Sequence, residues 1–220
     1  MKGTLILAGM ALMAGSAFAN LIVDGGFEVN SAFPGNFSGD TADAWFNLSG
    51  ATTPDVWDNT GADGLAPGFA GYMPHITAYE GTNWASLVGT IGWQEYIGST
   101  YIALNPGVYT LSMAVIYDAH NPGGYTSPAG LDIFLAEGTG PYNFIGSLAQ
   151  NTGSDQWELR SMSIVINSAD MYSIGIQAQV GSAGSAYLGV DDVQLNPVPE
   201  PATMAALGLG AAAMIRRRRK

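Results

Sequence analysis

The stretch "YSIGIQAQV" at residues 172–180 decides the fold. Tyr172, Ile174, Ile176, Ala178 and Val180 fall on one side of an extended chain, and Ser173, Gly175, Gln177 and Gln179 on the other. A period of two marks a strand with one buried and one wet face, the pattern of antiparallel sheets. "VYTLSMAVIY" (108–117) repeats it, with Leu111, Met113, Val115 and Tyr117 on one side and Ser112 and Ala114 between them. Working outward, "NLIV" (20–23), "WASLV" (84–88), "GWQEYI" (92–97), "LDIFLA" (131–136), "YNFIGSLA" (142–149), "WELRSMSIVI" (157–166) and "AYLGVDDVQL" (186–195) read as further strands. Turn signals separate them: "NPG" at 105–107, "SPAG" at 127–130, "EGTGP" at 137–141 and "NTGSD" at 151–155. Many short strands at this spacing predict an all-β chain, a jelly-roll-like antiparallel β-sandwich with no helix in its body. Residues 30–82 alternate weakly and are rich in Gly, Asp, Asn and Thr, which predicts a long loop region with two short strands at most.

Both ends of the chain differ from this body. "MKGTLILAGMALMAGSAFA" (1–19) runs from a basic residue, Lys2, through a small-apolar stretch to Ala17-Phe18-Ala19, which is the layout of a secretory signal peptide cut before Asn20. At the other end stands "VPEPATMAALGLGAAAMIRRRRK" (198–220). Ala202 to Ile215 carries no charge over 14 residues, which as a helix spans ~21 Å. A bilayer core is about 30 Å thick, so this helix is short, and snorkelling arginines would close part of the gap. The basic cluster Arg216, Arg217, Arg218, Arg219 and Lys220 would stay on the cytoplasmic side. The expected organisation is therefore a signal peptide at 1–19, a β-sandwich at 20–196 and a tail with a hydrophobic helix at 197–220.

Charge narrows the function. Between residues 20 and 197 the one basic side chain is Arg160, against 17 acidic ones, for a formal charge of −16. Phosphate backbones are bound by Lys and Arg, so no nucleic acid is expected as a partner. A surface this acidic favours cations. The chain contains no cysteine, which removes disulfides, thiol catalysis and most zinc sites.

The tail resembles the PEP-CTERM sorting signal of exported bacterial proteins: Pro199, Glu200 and Pro201 form the motif, the apolar stretch follows, and Arg216 to Arg219 close it. The resemblance implies that an exosortase, a membrane-embedded cysteine protease, cuts near Pro199-Glu200-Pro201. The body would then pass from a transient inner-membrane anchor to the cell surface or extracellular matrix, in the company of exopolysaccharide. This chain would be the substrate of that chemistry and not its catalyst.

The body has a resemblance of its own. "NLIVDGGFEVN" (20–30), "GWQEYIGSTYIALNPGVYTLSMAV" (92–115) and "YLGVDDVQL" (187–195) are similar to segments of exported galactose-binding-like β-sandwiches, including carbohydrate-binding modules. That resemblance implies a structural calcium ion between the first and last strands, with Glu28 and Asp192 at the matching positions. Gly25 and Gly26 would let the backbone turn and offer carbonyls, and calcium takes six to eight such oxygens. Asp192 interrupts the alternation of Leu188 and Val190, so it is expected to point inward, with Arg160 as the one cationic partner available. Asp191 and Asp192 read equally as a solvated strand end. The acidic run Asp55, Asp58 and Asp63 is a second cluster, without EF-hand spacing.

Sugar sites use flat aromatic faces on loops. Trp45, Trp57 and Tyr125 lie in irregular sequence and are the expected ligand contacts, with core packing as the other reading of each tryptophan. Trp84, Trp93 and Trp157 sit in strand-like contexts and are expected in the core. No G-x-S-x-G, H-E-x-x-H or P-loop is present, and His75 and His120 have no local metal partner. No catalytic residue is assigned and no enzyme is expected. The expectation is an exported cell-surface or matrix protein whose body binds polysaccharide; the alternative is a purely structural or adhesive matrix protein with no ligand site.

Overall fold

The computed structural model describes residues 20–29, 44–50, 54–59, 76–119 and 124–199. Among these, eleven strands are present and no helix: β1 (Trp45–Asn47), β2 (Asp55–Asp58), β3 (Asn83–Thr90), β4 (Tyr96–Ser99), β5 (Ile102–Leu104), β6 (Gly107–Tyr117), β7 (Leu131–Glu137), β8 (Asn143–Leu148), β9 (Glu158–Ile166), β10 (Asp170–Ala178) and β11 (Ser185–Pro197). One sheet runs β1-β4-β10-β7-β8, with β5 on the start of β10; the other runs β2-β3-β11-β6-β9. Every pairing is antiparallel.

The two-residue period places the core. Tyr172, Ile174, Ile176 and Ala178 of β10 meet Leu111, Met113 and Val115 of β6 and Leu188, Val190, Val193 and Leu195 of β11 in one buried cluster between the sheets. With no cysteine to staple the chain, this burial carries the stability, and truncating Ile176 to alanine would cost about 2–5 kcal/mol. The second sheet is also covered on its outer side. Trp57, Trp84, Tyr187, Ile116, Val88 and Ile76 form a second buried cluster there, with Trp57 stacked on Trp84 at 5.7 Å.

Several segments differ from expectation, each for a local reason. "NLIV" makes no strand. Asn20 instead folds its amide against β11: Nδ2 donates to Val193 O at 2.8 Å, and Oδ1 accepts from Leu195 N at 2.9 Å. Leu21 N donates to Leu195 O at 3.1 Å. "GWQEYI" is divided by a hairpin turn in which Thr90 N donates to Trp93 O, so the strand begins at Tyr96. Trp93 sits at that tip 40% exposed, not in the core. β5 has three residues, too few for a visible period. β1 and β2 are the two short strands inside 30–82. The expected signal peptide at 1–19, the apolar helix, Glu200, Pro201 and Arg216 to Arg219 lie outside the described residues.

β11 carries a bulge: its register against β6 slips between Asp191 and Gln194, with Asp192 in the left-handed region at φ 47°. The extra residue lets Val190 and Val193 both face the core, as a bulge permits. It also inverts the carboxylates. Asp191 is buried on the outer side of the sheet, while Asp192 is half-buried and accepts from Gln194 Nε2 at 2.8 Å. The inward-pointing Asp192 is thus corrected to a buried Asp191.

Candidate functional site

On the outer face of the first sheet the strand registers line up two rows of side chains. Phe46 opposes Gly98, Gly98 opposes Gly175, Gly175 opposes Phe134 and Phe134 opposes Phe144. Beside this row, Tyr96 opposes Gln177, Gln177 opposes Asp132 and Asp132 opposes Ser147. An apolar row across five strands and a polar row across four of them, β4, β10, β7 and β8, therefore run side by side.

The glycines make room for the rings. A Cβ at Gly175 would run into the Tyr96 ring, and one at Gly98 would meet Tyr142 Oη and Leu48 Cδ1, both at 2.6 Å. Tyr96 lies 5.0 Å from Phe134 and 5.5 Å from Tyr142, ring centre to ring centre, and Phe134 lies 5.8 Å from Phe144. Phe144 is 59% exposed and Tyr101, at the edge, 44%. The Tyr142 and Ser173 hydroxyls are 2.6 Å apart. Asp132 Oδ1 accepts from Ser147 Oγ and Gln179 Nε2, each at 2.6 Å, which fixes the Asp132 end of the polar row. Burial pushes the Tyr96 phenol well up, and neighbouring Tyr142 adds to it. Burial likewise raises Tyr142, against the hydrogen bond to Ser173. Both stay neutral hydroxyls, and Tyr96 Oη has no hydrogen-bond partner among the described residues.

The tryptophans expected on loops are elsewhere. Trp45 is on β1 and fully buried; its Nε1 donates to Asp24 O at 2.9 Å and its ring packs on Phe27. Trp57 is on β2 and fully buried, donating to Ser86 Oγ at 2.8 Å. Rings without exposure have no free face for a sugar, so these two are corrected from loop contacts to packing residues. Tyr125 is half-buried, 6.4 Å from the Tyr187 ring. The Tyr96, Phe134, Tyr142 and Phe144 set was missed because each aromatic was read on its own strand. The signal was present: Phe134 falls on the side of "LDIFLA" opposite Leu131 and Ile133.

On the other sheet, where the chain enters β3, acidic residues converge on residues 79–83. Glu28 Oε1 accepts from Thr82 N at 2.7 Å and Asn83 N at 2.9 Å, and Oε2 from Thr82 Oγ1 at 2.7 Å. Asp191 Oδ2 accepts from Tyr79 N at 2.8 Å and Glu80 N at 3.0 Å, and Oδ1 from Asp192 N at 2.7 Å. Burial pushes the Asp191 carboxyl up to about 7, against those three amides. Gly26 sits between the carboxylates: a Cβ there would meet Glu28 Cγ at 3.6 Å and Asp191 Oδ1 at 3.7 Å. Glu28 and Asp191 thus both take backbone amides of residues 79–83, whereas Asp192, the expected partner of Glu28, accepts from Gln194. Among the described residues no group of three or more His, Asp or Glu gathers for a metal. Arg160 pairs with Glu158 at 2.5 Å and not with either aspartate. Asp55 accepts from Tyr187 Oη at 2.6 Å; the Asp58 side chain and Asp63 lie outside the described residues.

This is a β-sandwich of the kind found in carbohydrate-binding modules. It is similar to the tandem domain of two family 22 modules from Paenibacillus barcinonensis, with a TM-score of 0.50 and 18% identity over 84% of this chain and 48% of that one. It is also similar to the family 22 module and family 10 catalytic modules of a Clostridium thermocellum endo-1,4-β-D-xylanase complexed with xylohexaose, with a TM-score of 0.51 and 15% identity over 82% of this chain and 29% of that one. No curated protein matches the chain by sequence. Residues 197–220 match the PEP-CTERM protein-sorting motif. The chain is thus a sandwich domain joined to a sorting tail, and the tail implies an exosortase partner and a secreted protein transiently anchored and sorted to the cell surface.

Proposed function

We propose that the body binds polysaccharide on the outer face of its first sheet, within an exported protein that the sorting tail delivers to the cell surface or matrix. The observation that carries this reading is the pairing of the row Phe46–Gly98–Gly175–Phe134–Phe144 with the row Tyr96–Gln177–Asp132–Ser147. Sugar rings offer C–H faces to aromatics and equatorial hydroxyls to polar groups, so a strip with both side by side matches a glycan chain lying flat. With one basic residue against 17 acidic ones, the body disfavours anionic polymers and suits neutral ones.

The test is affinity electrophoresis through neutral and uronic-acid polysaccharides. Retardation by a neutral polymer that Phe144→Ala abolishes, with melting unchanged, supports the reading. No retardation by any polymer leaves the structural or adhesive role.

A structural calcium ion belongs to the same proposal, held by Glu28 and Asp191. When bound it would offset the burial of the Asp191 carboxylate and tie β11 to the segment 79–83. It supplies no chemistry to the glycan. No catalytic group is proposed.

A further inference from the structure

The sorting motif begins on the residue where β11 ends. The match starts at Pro197, and Pro197 is the last residue of β11, opposite Tyr109 of β6. The ladder goes one step further, Val198 N donating to Val108 O at 2.8 Å. No linker therefore separates the folded sheet from Pro199. At the ~3.3 Å rise of a strand, Pro199 stands about 13 Å along the chain from Leu195.

A protease engages an extended, unpaired chain on both sides of the bond it cuts, and a strand paired in a sheet is a poor substrate until it opens. Here the paired residues are the first ones of the sorting motif. Their attachment is graded. Leu195 is fully buried in the core, and Asn20 and Leu21 hold it from one side through the Leu195 N and O bonds. Beyond it, Asn196 and Pro197 are half-buried and Val198 is 42% exposed. Pro197 has no N–H to give to the ladder. Lifting residues 196–198 from β6 takes no buried side chain of β11 out of the core, whereas lifting Leu195 takes out a leucine and breaks the Asn20 clasp.

We infer that Asn196–Val198 is a releasable strap: it must peel from β6 for the sorting protease to reach the motif, and the Asn20–Leu195 clasp sets where the peeling stops. This rests on the tail being a sorting substrate. The clasp adds a geometric consequence. The expected new N-terminus at Asn20 and the start of the sorting tail lie on the same stretch of β11, so both processing sites fall at one end of the sandwich.

The experiment uses the full chain in its native host. Thr110 and Asn196 are directly opposed, and the chain has no cysteine of its own, so Thr110→Cys with Asn196→Cys makes a single reducible lock. The readout is intact mass of the tail-processed product, oxidised and reduced. The expected result is at least about a tenfold loss of processing when oxidised, recovered on reduction. A Gly-Ser linker of ten residues inserted between Val198 and Pro199 of the locked chain should restore processing without reduction. Equal processing of locked and unlocked chains overturns the strap. A wild-type chain that keeps its tail overturns the sorting reading and the strap with it.

Discussion

The Tyr96 ring lies over Gly175, in the space a Cβ at residue 175 would take. Both residues belong to the outer face of the first sheet, and the absent side chain of one lets the other lie flat. Gly175→Ala should lift Tyr96 away from Phe134, cost about 1–3 kcal/mol of stability as overpacking does, and weaken glycan retention. Urea denaturation and affinity electrophoresis read the two effects. Gly92→Ala is the control, since a Cβ there meets nothing within 4 Å; a Gly175→Ala protein as stable as that control would show that the ring is not seated on the glycine.

Trp57 makes the opposite case. It is fully buried, stacked on Trp84 and bonded to Ser86 Oγ. Trp57→Ala should cost about 3–5 kcal/mol, the range for large aromatic truncations in a core, and any loss of glycan retention should track the unfolded fraction. Calorimetry beside a binding isotherm at low temperature separates these. A melting point within a degree of wild type, with retention lost, would return Trp57 to the ligand surface.

The sheets were legible because alternation is a local property. The stretches containing β3, β6 through β9 and β11 show their strands from composition and turns, and β10 shows which face is inside. What stayed hidden depends on neighbours distant in sequence. Phe134 and Phe144 are ten residues apart, but Tyr96 and Gly175 meet across 79, and no single strand reveals that their rows coincide. The Asp191 and Asp192 inversion was hidden for another reason. A bulge adds one residue, and every inward assignment after it changes sign. Asn20 looked like the start of a strand because an asparagine side chain can satisfy the same backbone groups that a strand would.

Calcium can be tested at the inverted carboxylate. A ligand bound to the native state alone stabilises it by about 2.7 kcal/mol at a hundred times its Kd. Melting in millimolar calcium should exceed melting in chelator by several degrees in wild type. Asp191→Asn and Glu28→Gln should erase the difference, and Asp192→Asn should keep it. Identical melts of the wild type with and without chelator would remove the ion, and a response lost in Asp192→Asn alone would restore the pair read from the sequence.

In metal-free buffer the acid–base behaviour has two limbs of opposite sign. Burial raises the Asp191 carboxyl to about 7, so the folded state holds its proton more tightly than the unfolded chain. Its contribution is whole below about pH 4 and is lost as pH rises through 7. Glu158 is held down at about 2, first by the Gly153 amide and then by Arg160 and Thr152, against the cost of burial. Its contribution is present above about pH 4.5 and is lost as pH falls toward 2. The −16 charge of residues 20–197 adds self-repulsion at neutral pH, in the same direction as Asp191. Melting temperature should therefore peak near pH 4–5, decline toward pH 7.5 and collapse below pH 3. Asp191→Asn should flatten the upper limb and Glu158→Gln the lower one. A wild type that melts higher at pH 7.5 than at pH 5 without metal would mean that Asp191 is ionised at no cost, and that its amide partners outweigh its burial.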